Sequence, residues 1–326
     1  MKANKKQIVF LICMAMLLVA VAILVLFFWK KEGGMSTDFQ EGEGDLIVYD
    51  GKQYKYNEHL SNFIFLGIHT REKVQEYHTK EGVGQADAIF LISLNRKEKT
   101  MQVLTIPRDT MTAIRIIGLD GDDAGLTKNH INLQYAFGDG KSKSCQLMKE
   151  AVSNLLYDLP IQGYCSMNMD GIPIATKTVG GVQVVVPNDT LETVNPEFKE
   201  GAKVTITEEN AEQFVRHRDI NISQSALSRT ERQMTFLEAF AAKAKKIAKT
   251  DKDFAVTLLE SVEDYVVTNI GTDMYVKLME ATYDKDDVHT VPGEGAAGES
   301  FDEYHVDEDR LYELVLQMFY KEVQGR

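Results

Sequence analysis

Residues 8–29 read IVFLICMAMLLVAVAILVLFFW, 22 positions without a charge. A helix of that length is about 33 Å long, enough to cross a ~30 Å hydrocarbon core. A cleaved signal peptide has a shorter apolar region that ends in a small-x-small site. This run ends instead in Phe27, Phe28, Trp29, Lys30 and Lys31, aromatics and cations suited to a membrane interface. The expected layout is a cytoplasmic tail (1–7), a transmembrane helix (8–29), a linker (30–44) and one extracellular domain (45–326). The flanking Lys2, Lys5 and Lys6 favour a short N-terminus inside and the body outside, a single-pass cell-membrane protein.

Hydrophobic residues make up 44% and charged residues 26%, so the body can bury a core. The formal net charge is −13, and the first 31 residues hold five lysines and no acid, so the body is more acidic than the whole. That balance argues against nucleic acid as a partner, which needs a basic footprint. Cys145 and Cys165 fall outside the membrane run, where either a disulfide or two buried thiols is allowed.

Along the body, Asp50-Gly51 suits a tight hairpin turn between DLIVY and KQYKYN. NFIFLGI at 62–68 reads as a buried strand, and ADAIFLISLN and MQVLTIP as two strands joined by a polar turn. SKSCQLMKEAVSNLLYDL has helical spacing and stops before Pro160. GVQVVVP is a further strand, TEENAEQFVRHR a helix capped at Thr207, and ALSRTERQMTFLEAFAAKAKKIAK a long helix. Two more helices, a strand end at VHTVPG and a last helix over 307–323 follow. The pattern predicts an α/β fold, a mostly antiparallel or mixed central sheet flanked by helices.

Arginine marks where chemistry could sit. The chain has ten, and Arg216, Arg218, Arg229 and Arg232 lie within 17 residues. Guanidinium grips phosphate bidentately, and Arg229 and Gln233 share one helix face at i, i+4. A solvated basic face paired with carboxylates is the plainer reading of that cluster. IPRDT at 106–110 ends a strand with Arg108-Asp109, and Asp87 opens the neighbouring strand. Hairpin pairing would bring Asp87 to Arg108 and Asp109, two carboxylates and a cation fit for a divalent ion and a phosphate. The G-x-G-x-x-G match at 293–298 has no strand–helix unit after it and is not read as a dinucleotide site.

The N-terminal anchor, LGIHTR, ADAIFLISLN, LTIPRDT, HINLQYAFGDG, VGGVQVVVP, FVRHR and SRTERQ stand in one order. That order resembles the LytR-CpsA-Psr (LCP) family of cell-wall glycopolymer transferases, best over residues 60–245. The resemblance implies a helix-flanked sheet with an apolar channel for a polyprenyl tail. It implies transfer of a glycopolymer from polyprenyl pyrophosphate to a peptidoglycan hydroxyl, assisted by Mg2+; a histidine at position 69 makes Mn2+ the alternative ion. The family's functional positions fall on Arg108, Asp109, Arg216 and Arg218 as catalytic groups. Arg108, Arg216, Arg218, Arg229 and Gln233 are the implied pyrophosphate ligands, and Asp87 with His69 the implied metal ligands. Three positions depart: His69 replaces an Asp, Gln85 an Arg and His130 a Lys. The departures open a second reading, a non-catalytic or regulatory relative that binds the lipid-linked precursor.

Overall fold

The computed structural model describes residues 46–77, 82–118, 120–217, 225–251, 253–271 and, with short breaks, 274–323. The expected tail, transmembrane helix and linker lie outside the described residues. Among the described residues no helix is long and apolar enough to cross a membrane.

In chain order, β1 (Ile47–Tyr49) and β2 (Lys52–Tyr56) form the expected hairpin. Its turn residues Asp50 and Gly51 both take positive φ (48° and 72°), as a primed turn requires. β3 (Leu60–Ile68), β4 (Ala86–Asn95) and β5 (Thr100–Ile106) pair antiparallel in sequence. β6 (Met111–Ile117) and β7 (Asp123–His130) make a separate hairpin, followed by a 3-10 helix, Ile131–Phe137. Then come α1 (Ser142–Leu155), β8 (Gly163–Asn168), α2 (Gly171–Thr178), β9 (Val182–Val185) and β10 (Lys203–Ile206). α3 (Ala211–Arg216), α4 (Ser225–Ala248), α5 (Phe254–Val262), β11 (Val266–Thr268) and β12 (Val288–Thr290) follow. The chain closes with β13 (Gly293–Ala297), β14 (Asp302–Val306), α6 (Glu308–Phe319) and β15 (Tyr320–Val323).

The central sheet has the order β11-β8-β3-β4-β5-β12. β8 runs parallel to β3 and β12 parallel to β5, and the other pairings are antiparallel, so the sheet is mixed as expected. Strand alternation divides its side chains between two cores. Phe63, Phe65, Phe90, Ile92 and Val103 face one core with α2, α3, α4 and α5. Ile64, Leu66, Ile89, Leu91 and Leu104 face the other with α1 and α6.

The same alternation settles the cysteines. Cys165 on β8 joins the first core and Cys145 on α1 the second, so the sheet lies between them. Both are buried, and neither forms a disulfide. It is Ser166, one residue on and therefore on the other face, that accepts from Cys145 Sγ at 3.3 Å. Burial pushes the Cys145 thiol up to about 12.

Three expected boundaries move. α1 ends at Leu155, short of Pro160. Thr207 does not cap α3: its N–H donates to Asn210 Oδ1 (2.8 Å), and the helix begins at Ala211. The last helix ends at Phe319 rather than continuing to 323, because YKEV pairs antiparallel with β2. The glycine-rich stretch at 293–298 is mainly β13 of the β13–β14 hairpin.

Candidate functional site

The C-terminal ends of β3, β5 and β8 and the start of β4 meet at one end of the central sheet. The β3–β4 register breaks there. Gly67 pairs with Ala88 and Ile68 with Ala86, leaving Asp87 as the extra residue of a bulge. A bulge re-aims a side chain next to a site. A Cβ added to Gly67 would stand 3.1 Å from that of Ala88, so this close strand approach suits glycine.

His69 follows β3, and its backbone N–H donates to Gln85 O at 2.8 Å. Its ring meets Asp87: His69 Nδ1 lies 3.0 Å from Asp87 Oδ2. The other ring nitrogen, Nε2, lies 3.0 Å from Arg216 Nη2. A guanidinium can only donate, so Nε2 accepts and Nδ1 carries the N–H that donates to Asp87, a tautomer assigned from these partners.

Arg108 is held in the turn after β5. Thr110 Oγ1 donates to Pro107 O (2.6 Å), and the Asn132 N–H of the 3-10 helix donates to Arg108 O (3.2 Å). From there Arg108 Nη1 donates to Asp87 Oδ1 and Nε to Asp109 Oδ1 (3.0 Å). Arg216, at the end of α3, also donates through Nη1 to Glu212 Oε1 (2.6 Å), which accepts from Arg71 as well. Arg229 on α4 is buried at 8% exposure, and its charge acts on Asp87.

The expected site residues therefore converge in large part. Asp87, Arg108, Asp109, His69 and Arg216 form one connected network, and Arg229 is near enough for its charge to act on Asp87. Gln233 is half-buried on the same helix as Arg229, and no contact with the network is seen among the described residues. Arg218 lies outside the described residues. Arg232, read with the same arginine cluster, is 1% exposed and turned away. Its Nε donates to Phe214 O (2.9 Å) and its other nitrogens to His217 O, Thr190 Oγ1 and Asn188 Oδ1. It braces the end of α3 instead of reaching the network. Arg71 and Glu212 were not singled out in the sequence; Arg71 is the Arg of LGIHTR, a signal in plain view. Of the departing positions, Gln85 accepts from Asn132 Nδ2 at 3.1 Å, and the His130 ring packs edge-on to Phe301.

Burial pushes the Asp87 carboxyl up, but the His69 hydrogen bond and the Arg108 and Arg229 charges outweigh it. The net effect holds Asp87 below the usual carboxylate range. A carboxylate lowered on folding stabilises the native state above its unfolded pKa, and that stability is lost as pH falls through the folded value. The gap in urea midpoint between wild type and Asp87→Asn should stay constant from about pH 7 to 5 and shrink below about pH 4. Narrowing already above pH 5 would contradict this.

A divalent ion is a poor fit to these residues. Mg2+ takes oxygens in near-octahedral array, and Mn2+ also favours carboxylate and water oxygens. Here Asp87 Oδ1 faces Arg108, Asp87 Oδ2 faces His69, and both ring nitrogens of His69 face other side chains. Asp109 Oδ1 faces Arg108. Among the described residues no group of three or more His, Cys, Asp or Glu could hold a metal ion.

A sequence model of the LytR_cpsA_psr family matches residues 34–319. The chain belongs to that family. Its LytR_cpsA_psr relatives include two curated proteins named polyisoprenyl-teichoic acid–peptidoglycan teichoic acid transferases. TagV of Bacillus subtilis is 32% identical over 218 residues, 64% of this chain and 49% of TagV. TagU of Halalkalibacterium halodurans is 30% identical over 213 residues, 65% of this chain and 62% of TagU. The matched region thus spans about half to three fifths of these relatives' length. Among LytR_cpsA_psr folds, the crystal structure of B. subtilis TagV superposes with TM-score 0.56 at 25% identity, covering 80% of this chain and 98% of that one. B. subtilis TagU gives 0.53 at 21%, covering 81% and 100%.

Proposed function

We propose that this chain is a membrane-anchored transferase that moves a glycopolymer from a polyprenyl pyrophosphate carrier to peptidoglycan. The observation that carries the reading is the cluster around the bulged Asp87 at one end of the sheet: Arg108 bonds it, the Arg229 charge acts on it, and Arg216 reaches it through His69. Relatives named teichoic acid transferases support the substrate class. The apolar run at 8–29 would hold the site near the bilayer that contains the lipid.

In this reading an acceptor hydroxyl of peptidoglycan attacks the phosphorus that bears the glycopolymer and gives up its proton to water or to the departing phosphate. The bond to the bridging oxygen breaks, and polyprenyl phosphate leaves with the electron pair. The arginines stabilise charge on the non-bridging and leaving oxygens, the electrostatic term that dominates phosphoryl chemistry. Arg108 is placed by Asp87 and Asp109 before any ligand arrives, so little reorganisation is needed.

The test is incubation of the full chain, in detergent, with polyprenyl-pyrophosphate-linked teichoic acid and peptidoglycan. Phosphodiester-linked polymer on peptidoglycan is the expected product. Lipid binding without transfer would favour a binding or regulatory role, a reading that the departures at His69, Gln85 and His130 keep open. Neither binding nor transfer would remove both.

A further inference from the structure

We propose that guanidinium groups take the place of a divalent cation in this site, so that it binds pyrophosphate without one. The inference rests on the pyrophosphate-binding reading above. It starts from position 69, where the family resemblance implies a metal-binding Asp and this chain has His69. A carboxylate there would offer oxygens to an ion. The imidazole instead donates through Nδ1 to Asp87 and accepts through Nε2 from Arg216. Its ring thus links the carboxylate that should hold the ion to a cation from α3, at 3.0 Å on each side.

Charge reinforces the geometry. An ion at Asp87 would have to displace Arg108 from Oδ1 and His69 from Oδ2, and would then stand beside Arg216 with the Arg229 charge close by. A doubly positive ion gains little from one carboxylate already shared by cations. A pyrophosphate meets the opposite situation. His69 meets Arg216 as a neutral acceptor and adds no negative charge to the one that Glu212 already sets against it, whereas an Asp in its place would add a second. Arg71 adds a solvent-facing guanidinium, 64% exposed at its side chain and paired with the same Glu212 as Arg216. Guanidinium also matches phosphate oxygens in a fixed fork, which fits direct binding without an intervening ion.

The test uses the full chain in detergent micelles with farnesyl pyrophosphate as the probe, read by calorimetry in excess EDTA and in excess Mg2+. Separately, Mn2+ binding to the protein alone is read by electron paramagnetic resonance. The expected affinities agree within about threefold in the two buffers, and wild type shows no saturable Mn2+ site that Asp87→Asn removes. His69→Asp should gain such a site and lose more than about tenfold in lipid affinity on chelation. His69→Gln offers Asp87 an N–H without a carboxylate and should stay indifferent to EDTA. A wild-type loss of more than about tenfold in EDTA, or saturable Mn2+ held through Asp87, overturns the proposal. Should farnesyl pyrophosphate bind in neither buffer, the functional reading fails, and the Mn2+ measurement alone decides this one.

Discussion

An Arg108→Ala variant is expected to bind a polyprenyl pyrophosphate about 10- to 150-fold more weakly than wild type, a loss of ~1.5–3 kcal/mol, the usual range for a charged hydrogen bond. Arg108 is 25% exposed at its side chain and holds two carboxylates with different nitrogens of one guanidinium. Removal does two things. It deletes a phosphate ligand, and it leaves the 10%-exposed Asp87 with less compensation, a second source of repulsion for an anionic lipid. Arg108→Lys should recover only part of the loss, since one ammonium does not reproduce a fork reaching Asp87 and Asp109 at once. Adding Asp87→Asn to Arg108→Ala should restore some affinity by removing the uncompensated charge. Calorimetry with farnesyl pyrophosphate on the full chain checks all three, and unchanged binding in Arg108→Ala would remove this arginine from the site.

For stability, the largest single effect is expected at Arg232. Arg232→Ala should destabilise the domain by ~3–5 kcal/mol, because several buried neutral acceptors lose a charged donor at once. Its guanidinium is 1% exposed, and burial pulls its pKa down to about 10. It supplies donors to Phe214 O and His217 O at the end of α3, and to Thr190 and Asn188 in the loop after β9. Without it Phe214 O, His217 O and Thr190 Oγ1 lose this donor, at roughly 1–3 kcal/mol for each that stays buried and unsatisfied, while Asn188 Oδ1 keeps Thr190 Oγ1 as a donor. Because α3 carries Arg216, the loosened helix end should also weaken pyrophosphate binding, whereas the loss of stability persists without ligand. Urea unfolding of the full chain reads the effect; a change under about 1 kcal/mol would show that water replaces the guanidinium at little cost.

The residues that build the elements were legible where local physics decides. Short, nearly continuous apolar runs mark β3, β4 and β5, helical spacing marks α1 and α4, and Asp50-Gly51 marks its turn. The β6–β7 hairpin was not legible, because DAGLTKNH is mostly exposed and carries no alternation that a core would impose. Nor was β15: YKEV continues the pattern of α6, and only an edge of β2, far away in the chain, draws it into a strand.

The site divides in the same way. Arginine clustering and the strand-ending Arg108-Asp109 were enough, with the family resemblance, to name Asp87, Arg108, Arg216 and Arg229. Their roles needed the tertiary structure. The bulge that frees Asp87 arises from pairing between β3 and β4, and the His69–Arg216 contact joins positions 147 residues apart. Arg229 and Arg232 lie three residues apart on one helix, yet one sends its charge to Asp87 and the other braces α3. Composition and spacing determined which charges this protein owns. Which of them face each other depended on long-range packing, because a charged side chain's partner is set by the surfaces brought beside it and not by its neighbours in the chain.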